Sequence, residues 1–288
     1  MPTTAPYDDI ADWYENTFLT SQRSHGRDGF ADGLGIDRAV AELLGHGTGT
    51  CVEIGCGTGI YADRVGSLGW VPVGVELSAG MLRHAHGRLA AAQGDAVHLP
   101  FASNSVPAVI SVMAHTDMAD YPAVVAEAHC VLLAGGVFVD VGVHPCFCGG
   151  YADRTDPSGI VIRPGYLDGN WTTASWTDQG LRDKVGAAHW PLASLLDTVI
   201  GTGLGIYAFA EGAEPTPVVL SPRAIKSAPS AGRIVDPPGT CGGRWAADPT
   251  PSSESTRCSN GGRGPTTAAA RTRAVPRGTP RKIPLTLR

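Results

Sequence analysis

Residues 50–59 read Thr50-Cys-Val-Glu-Ile-Gly-Cys-Gly-Thr-Gly59, an apolar stretch that runs directly into three alternating glycines. The stretch predicts a buried strand, and Ile60 to Val65 beyond it predicts the opening of a helix. A strand that turns through glycines into a helix sets backbone N–H groups and the positive helix end beside a ligand. Glycine suits that turn because the chain bends sharply and the ligand comes close to the backbone. The spacing here is G-x-G-x-G over Gly55, Gly57 and Gly59, whereas the dinucleotide fingerprint is G-x-G-x-x-G.

Working outward, the pattern repeats strand and helix. Val71-Pro-Val-Gly-Val-Glu76 predicts a second strand, and Ser78 is a suitable N-cap for a helix through Leu89. Gly94-Asp95-Ala96 falls where a third strand would end. Val106 to Met113 predicts another strand, Tyr121 to Leu133 a helix, and the Gly135-Gly136 turn leads into a strand from Val137 to Val143. Upstream, Ile10 to Leu19 and Ile36 to Leu44 have helical spacing. Strands alternating with helices imply parallel pairing through right-handed crossovers, and so an open α/β sheet. The alternation stops at Val143. Residues 145–190 lack a clear period and carry Trp171, Trp176, Trp190, Tyr151 and Tyr166, which predicts a functional insertion in a compact domain. Leu192 to Ile200 resumes as helix, and Gly205 to Phe209 with Val218 to Leu220 predicts a closing antiparallel pair.

Composition divides the chain at about residue 221. From Pro222 to Arg288 there are 10 Pro, 8 Gly and 12 Arg or Lys against three acids, Asp236, Asp248 and Glu254. Such a segment buries too little apolar surface to offset its ordering entropy, so 222–288 reads as a disordered basic tail near +9. The chain holds 22 basic and 27 acidic residues, which leaves 10 against 24 in residues 1–221, near −14. An acidic body is poorly suited to a polyphosphate backbone, so nucleic acid is not the expected substrate. The opening residues have no basic and apolar signal pattern, and no run approaches the ~20 apolar residues of a membrane span. Seven cysteines without a framework point to a reduced, cytoplasmic protein with no membrane partner.

Four motifs together resemble the class I S-adenosylmethionine-dependent methyltransferases: Val52 to Gly59, Val73-Gly-Val-Glu-Leu-Ser78, Gly94-Asp-Ala-Val-His-Leu-Pro-Phe101 and Val131-Leu-Leu-Ala-Gly-Gly136. The resemblance spans roughly residues 7–220. It implies a Rossmann-like, seven-stranded, mostly parallel sheet with a reversed last strand and helices on both faces, forming a methyltransferase domain over residues 1–221. It also implies S-adenosylmethionine as cofactor. The glycine loop with Glu53, Gly55, Cys56, Gly57 and Gly59 would pack on the methionine part, Glu76 and Leu77 would hold the ribose side, and Asp95 and Ala96 the adenine side. Met113 would complete the cofactor site, and Tyr14, with Tyr7, would cover it.

Methyl transfer to a hydroxyl or ammonium also requires a general base, a task that suits histidine. His115, after the fourth strand, and His144, after the fifth, are the candidates, ahead of Asp117 and His189. Cys146-x-Cys148 has no further ligands at metal-site spacing, so no metal is expected. The post-fourth-strand sequence Met113-Ala-His-Thr-Asp117 lacks the polar-Pro-Pro-aromatic motif of base amino methylation, and the aromatic insertion points to a small-molecule acceptor. Two alternatives stand beside this reading. A nicotinamide-dependent oxidoreductase meets the wrong glycine spacing and has no Tyr-x-x-x-Lys pair, and a non-catalytic S-adenosylmethionine-binding module would keep the pocket without the chemistry.

Overall fold

Strands β1 (Thr50–Ile54), β2 (Val71–Glu76), β3 (Ala90–Gln93), β4 (Val106–Val112), β5 (Leu132–Val143), β6 (Leu204–Gly212) and β7 (Val219–Lys226) form one sheet in the order β6-β7-β5-β4-β1-β2-β3. All of these come from a computed structural model that describes residues 5–20, 33–156, 158–176 and 179–228. Pairing is parallel from β3 across to β5, and β7 runs antiparallel to both β5 and β6. This is the expected mostly parallel sheet with its last strand reversed. The strand order turns back between β1 and β4, and ligands of open α/β sheets bind outside the strand ends at such a point.

Both sheet faces are buried, and the central strands show it residue by residue. Cys51, Ile110, Val139 and Val141 pack on one side against Val40, Leu43, Leu44 and Val65. Their neighbours Val52, Val109 and Phe138 pack on the other side against Val125, Ala128, Leu195 and Val199. The first layer comes from helical turns Ile36–Ala39 and Val40–Leu44 with α1 (Ala62–Ser67); the second is chiefly α3 (Tyr121–Val131) and α5 (Leu192–Gly201). Helix α2 (Ala79–Ala85) follows β2, and Ser78 caps it by accepting from Met81 N–H at 3.1 Å. It ends at Ala85, short of the expected Leu89. At the N-terminus a continuous segment, Asp8–Ile10, Ala11–Trp13 and Tyr14–Phe18, winds as 3-10, α and π turns in succession.

Two expectations need correction. The domain does not end at residue 221: β7 continues through Lys226, with Ala224 fully buried and paired with Phe138. Pro222 hid this strand, since proline argues against a central strand. Its missing N–H falls in a gap in the β5–β7 ladder, where pairing skips Ser221 and Pro222 and resumes at Arg223. The expected tail from residue 229 onward lies outside the described residues. The chain is also not wholly reduced: Cys51, Cys56, Cys146 and Cys148 are free thiols, but Cys130 is disulfide-bonded. Among the described residues, no helix is long and apolar enough to cross a membrane.

Candidate active site

At the carboxyl end of β1 the chain turns at Gly55, whose φ of +66° and whose spacing, 2.9 Å from a notional Cβ to Ala114 Cβ, leave no room for a side chain. Glu76, at the end of β2, fixes the loop. Its carboxylate accepts from Gly57 N–H at 3.0 Å and from Ser78 N–H at 2.9 Å. Each oxygen keeps a lone pair for a further donor. Below the loop Glu53 is 1% exposed, and its Oε2 has no partner. Burial, reinforced by the charge of Glu76, raises its pKa to about 8. The Cys56 side chain packs inward against β2, where a Cβ on Gly74 would lie 2.4 Å from its sulfur. Leu77 and Asp95 are exposed at the strand ends, Asp95 accepting from Val97 N–H at 3.1 Å, and Ala96 is half-buried beside them. Met113 takes a left-handed turn at φ +55° directly after β4.

The N-terminal segment closes over this loop and is fastened at three points. Asp8 accepts from Ser78 Oγ at 2.6 Å and Gly80 N–H at 2.8 Å. His84 bonds Asp12 at 2.8 Å. Arg88 donates to both oxygens of Glu15 and to the carbonyl of Thr58 in the glycine loop. This places Tyr14 where burial, Asp117 and Glu76 all raise its phenol pKa, and stacks it 5.7 Å from Tyr7 in an edge-to-face pair.

A buried cation then joins this segment to the insertion. Arg182, in α4 (Leu181–Val185), is 4% exposed; it pairs with Asp117 and donates to Thr116 Oγ1 at 3.0 Å and to Gly186 O at 3.3 Å. Tyr7 OH donates to the same Asp117 oxygen at 3.1 Å. The Arg182 guanidinium lies 5.2 Å from the Trp176 ring, and Lys184 lies 4.9 Å from Trp13. The insertion, the turn after β4 and the N-terminal segment are thus held by one polar cluster.

Beside that cluster, a cavity lies between the ends of β4 and β5 and the insertion, lined by His115, Val143, Trp176, His189 and Trp190 among others. Its free space is about 10 Å³, room for roughly one water. Of the three insertion tryptophans, Trp176 and Trp190 line it, whereas Trp171 is half-exposed and covers Gly186. Tyr151 and Tyr166 do not line it. They clasp His189 at ring separations of 4.6 and 5.2 Å and form the insertion's own small core.

The two candidate bases differ in their free valences. His144 accepts from Cys146 N–H through Nδ1 at 3.2 Å, so its proton is on Nε2, which donates to Glu211 at 3.0 Å. Both nitrogens are engaged, and burial lowers its pKa. His115 is 2% exposed and bonds Asp140 Oδ2 through Nδ1 at 3.0 Å. It sits so close over β5 that a Cβ on Gly142 would lie 2.0 Å from its Nδ1.

The family model described as a methyltransferase domain matches residues 52–140, the stretch that holds the glycine loop, Glu76, Asp95 and the turn after β4. Residues 52–140 of this chain carry a methyltransferase domain. An S-adenosylmethionine-dependent methyltransferase from Mesorhizobium loti is similar in structure at TM-score 0.54 and 22% identity, over 66% of this chain and 95% of that one. A Thermotoga maritima protein described as a possible histamine N-methyltransferase gives 0.53 and 21%, over 77% and 99%. A glycopeptide N-methyltransferase complexed with S-adenosylmethionine gives 0.50 and 18%, over 70% and 97%. At these identities the likeness is one of fold. No curated protein matches the sequence.

S-adenosylmethionine is the cofactor of such a domain, and the methyltransferase loop fits it: the left-handed glycines leave the backbone open, and Glu76 retains acceptor capacity for hydroxyls. Sequence reasoning missed Asp8, Glu15, Arg88, Asp140 and Arg182. Two signals were available. Asp140 interrupts the apolar run Val137-Phe-Val-Asp-Val141, and an acid in a doubly buried strand requires a partner. Arg182 is one of few cations in a strongly acidic body.

Proposed function

We propose that this enzyme methylates a small, largely apolar acceptor held beneath residues 145–190. The observation that carries the reading is the cavity at the ends of β4 and β5, walled by Trp176, Trp190, Val143 and Pro145 and reached on one side by His115. Apolar walls with a few convergent polar groups suit a small molecule. The charge of residues 1–221, near −14, disfavours a nucleic-acid substrate. S-adenosylmethionine supplies an electrophilic methyl group on a sulfonium. The chain's own part is to orient the acceptor and exclude water, and positioning carries much of the catalysis of an in-line displacement. Space for about one water means that the acceptor enters only when the insertion moves outward. On this reading the catalytic body runs through residue 228, and residues 229–288 form a basic extension to it.

Calorimetry with S-adenosylhomocysteine, followed by a metabolite screen with methyl-labelled cofactor, tests the proposal. Glu76→Ala should weaken S-adenosylhomocysteine about tenfold or more, because it removes a charged acceptor that also braces Gly57 and Ser78. Trp176→Ala should leave that affinity unchanged and reduce kcat/KM for the acceptor by about 1–3 kcal/mol. Label appearing only in protein or nucleic acid would overturn the small-acceptor reading, and tight binding with no labelled product would favour a non-catalytic module.

A further inference from the structure

Three histidines stand at this end of the sheet, and hydrogen bonding separates them. His144 has both ring nitrogens engaged, and His189 donates from Nε2 to a neutral acceptor, Tyr166 O, at 2.7 Å, so no carboxylate stands behind its ring to hold an imidazolium. In His115 only Nδ1 is taken, by Asp140. Asp140 is 2% exposed and also accepts from Tyr121 OH on the same oxygen at 3.0 Å, while its Oδ1 has no partner. A second orphan belongs to a residue that lines the cavity: the Trp190 indole N–H is buried without an acceptor.

We propose that His115, positioned by Asp140 and Tyr121, is the general base of this methyltransferase, and that its acceptor is an aromatic hydroxyl of the phenol type. The inference rests on the small-acceptor reading above. A carboxylate that accepts from both the Tyr121 hydroxyl and Nδ1–H keeps the His115 proton on Nδ1 and leaves the Nε2 lone pair for the acceptor. The same carboxylate stabilises the imidazolium formed when that nitrogen takes a proton. In the balanced step the acceptor oxygen forms its bond to the methyl carbon as the carbon–sulfur bond breaks onto sulfur. The hydroxyl proton passes to His115 Nε2, which later releases it to solvent. A phenol has an intrinsic pKa of about 10, within reach of an imidazole, whereas an aliphatic alcohol is far less acidic. Trp176 and Trp190 line the cavity with aromatic surface that suits a ring, and the unpartnered Trp190 indole N–H is a donor for a second polar substituent.

The test has two readouts. In the full chain with ¹⁵N-labelled histidine and S-adenosylhomocysteine, NMR should show the His115 proton on Nδ1, and Asp140→Asn should abolish that preference. A proton on Nε2 in the unaltered protein would overturn the proposal. Methyl-labelled cofactor is then offered with a panel of phenols, arylalkylamines and activated carbon acids. A phenol should be methylated, His115→Gln should reduce kcat about 10²–10⁴-fold with S-adenosylhomocysteine affinity retained, and the ascending limb of its pH profile should vanish. If amines or carbon acids alone are methylated, or His115→Gln turns over normally, the base assignment falls while the small-acceptor reading stands. If S-adenosylhomocysteine binds and no small molecule on the panel is methylated, the failure lies with the small-acceptor reading itself.

Discussion

The cofactor side and the acceptor side of this domain are built by different means. On the cofactor side, the loop itself is set by nearby backbone: Gly55 to Gly59 turn the chain, Glu76 and Ser78 sit two residues apart, and backbone N–H groups are the loop's principal donors, although its N-terminal cover is fastened by distant pairs such as Glu15 with Arg88. On the acceptor side, they are side chains brought from afar: Tyr7 meets Asp117 across 110 positions, Asp117 meets Arg182 across 65, and His115 meets Asp140 across 25. Backbone geometry is written locally in glycines and strand ends. Side-chain networks depend on the finished fold.

The comparison can be broken hardest at the sheet edge that supports the acceptor side. Lys226, at the end of β7, donates to Asn104 Oδ1 and to the carbonyls of His129 and Leu132 at 2.7–2.8 Å, closing the C-terminal end of α3. That helix carries Tyr121, the partner of Asp140. A chain of residues 1–221 loses Ala224, the final β7 pairs and this cap, whereas residues 1–228 keep them. We expect 1–228 to melt at least ~10 °C above 1–221, a loss of several kcal/mol at about 2–4 °C per kcal/mol for this size. Equal melting temperatures would show that the edge adds nothing to the acceptor side.

That boundary also marks where the sequence was legible and where it was not. Alternation, the glycine loop and the Ser78 cap could be read because each rests on local residue chemistry, whereas the reversed last strand followed from the family resemblance. The end of β7 could not, since Pro222 is tolerated only by a gap in the ladder to β5. The His144 reading rested on its place after β5; its occupation depends on Glu211, which β6 delivers from 67 residues away. Tyr151 and Tyr166 had the right composition for an acceptor pocket, but without periodicity nothing indicated that His189 would draw them together.

A second effect, of a few kcal/mol, belongs to the cofactor side and appears as a pH dependence. Glu53 is buried beneath the loop with one oxygen unpartnered, and its folded pKa is raised from about 4.5 to about 8. Between those pH values the folded protein holds a proton that the unfolded chain has released, so stability falls as pH rises and levels off above about 8. Every tenfold gain in proton affinity on folding is worth about 1.4 kcal/mol. Glu53→Gln removes the titration, and its stability relative to the unaltered protein should improve steadily from pH 5 to pH 8 in urea melts without cofactor. A constant difference across that range would mean that Glu53 is ionised in the folded state and solvated.

The smallest expected effect concerns the joint between the two sides. Arg182 holds the insertion to Asp117 and Thr116 on the β4 turn, and Asp117 in turn holds Tyr7 of the N-terminal segment. Breaking a buried ion pair by removing one member costs about 3–5 kcal/mol when the remaining charge stays dry. Here the Asp117 side chain is 22% exposed, so water can reach it, and about 1–3 kcal/mol is the reasonable loss for Arg182→Ala. If the insertion and the N-terminal segment close as one cover, part of that loss should appear as faster release of S-adenosylhomocysteine, about tenfold in koff. Peptides across 145–190 and 7–18 should then exchange amide hydrogens faster together, because a single cluster ties both. Arg182→Lys keeps the charge but cannot reach Asp117, Thr116 and Gly186 O at once, so it should fall between the two. Faster exchange confined to the insertion, with koff unchanged, would show that the two sides close independently and that Arg182 serves the acceptor side alone.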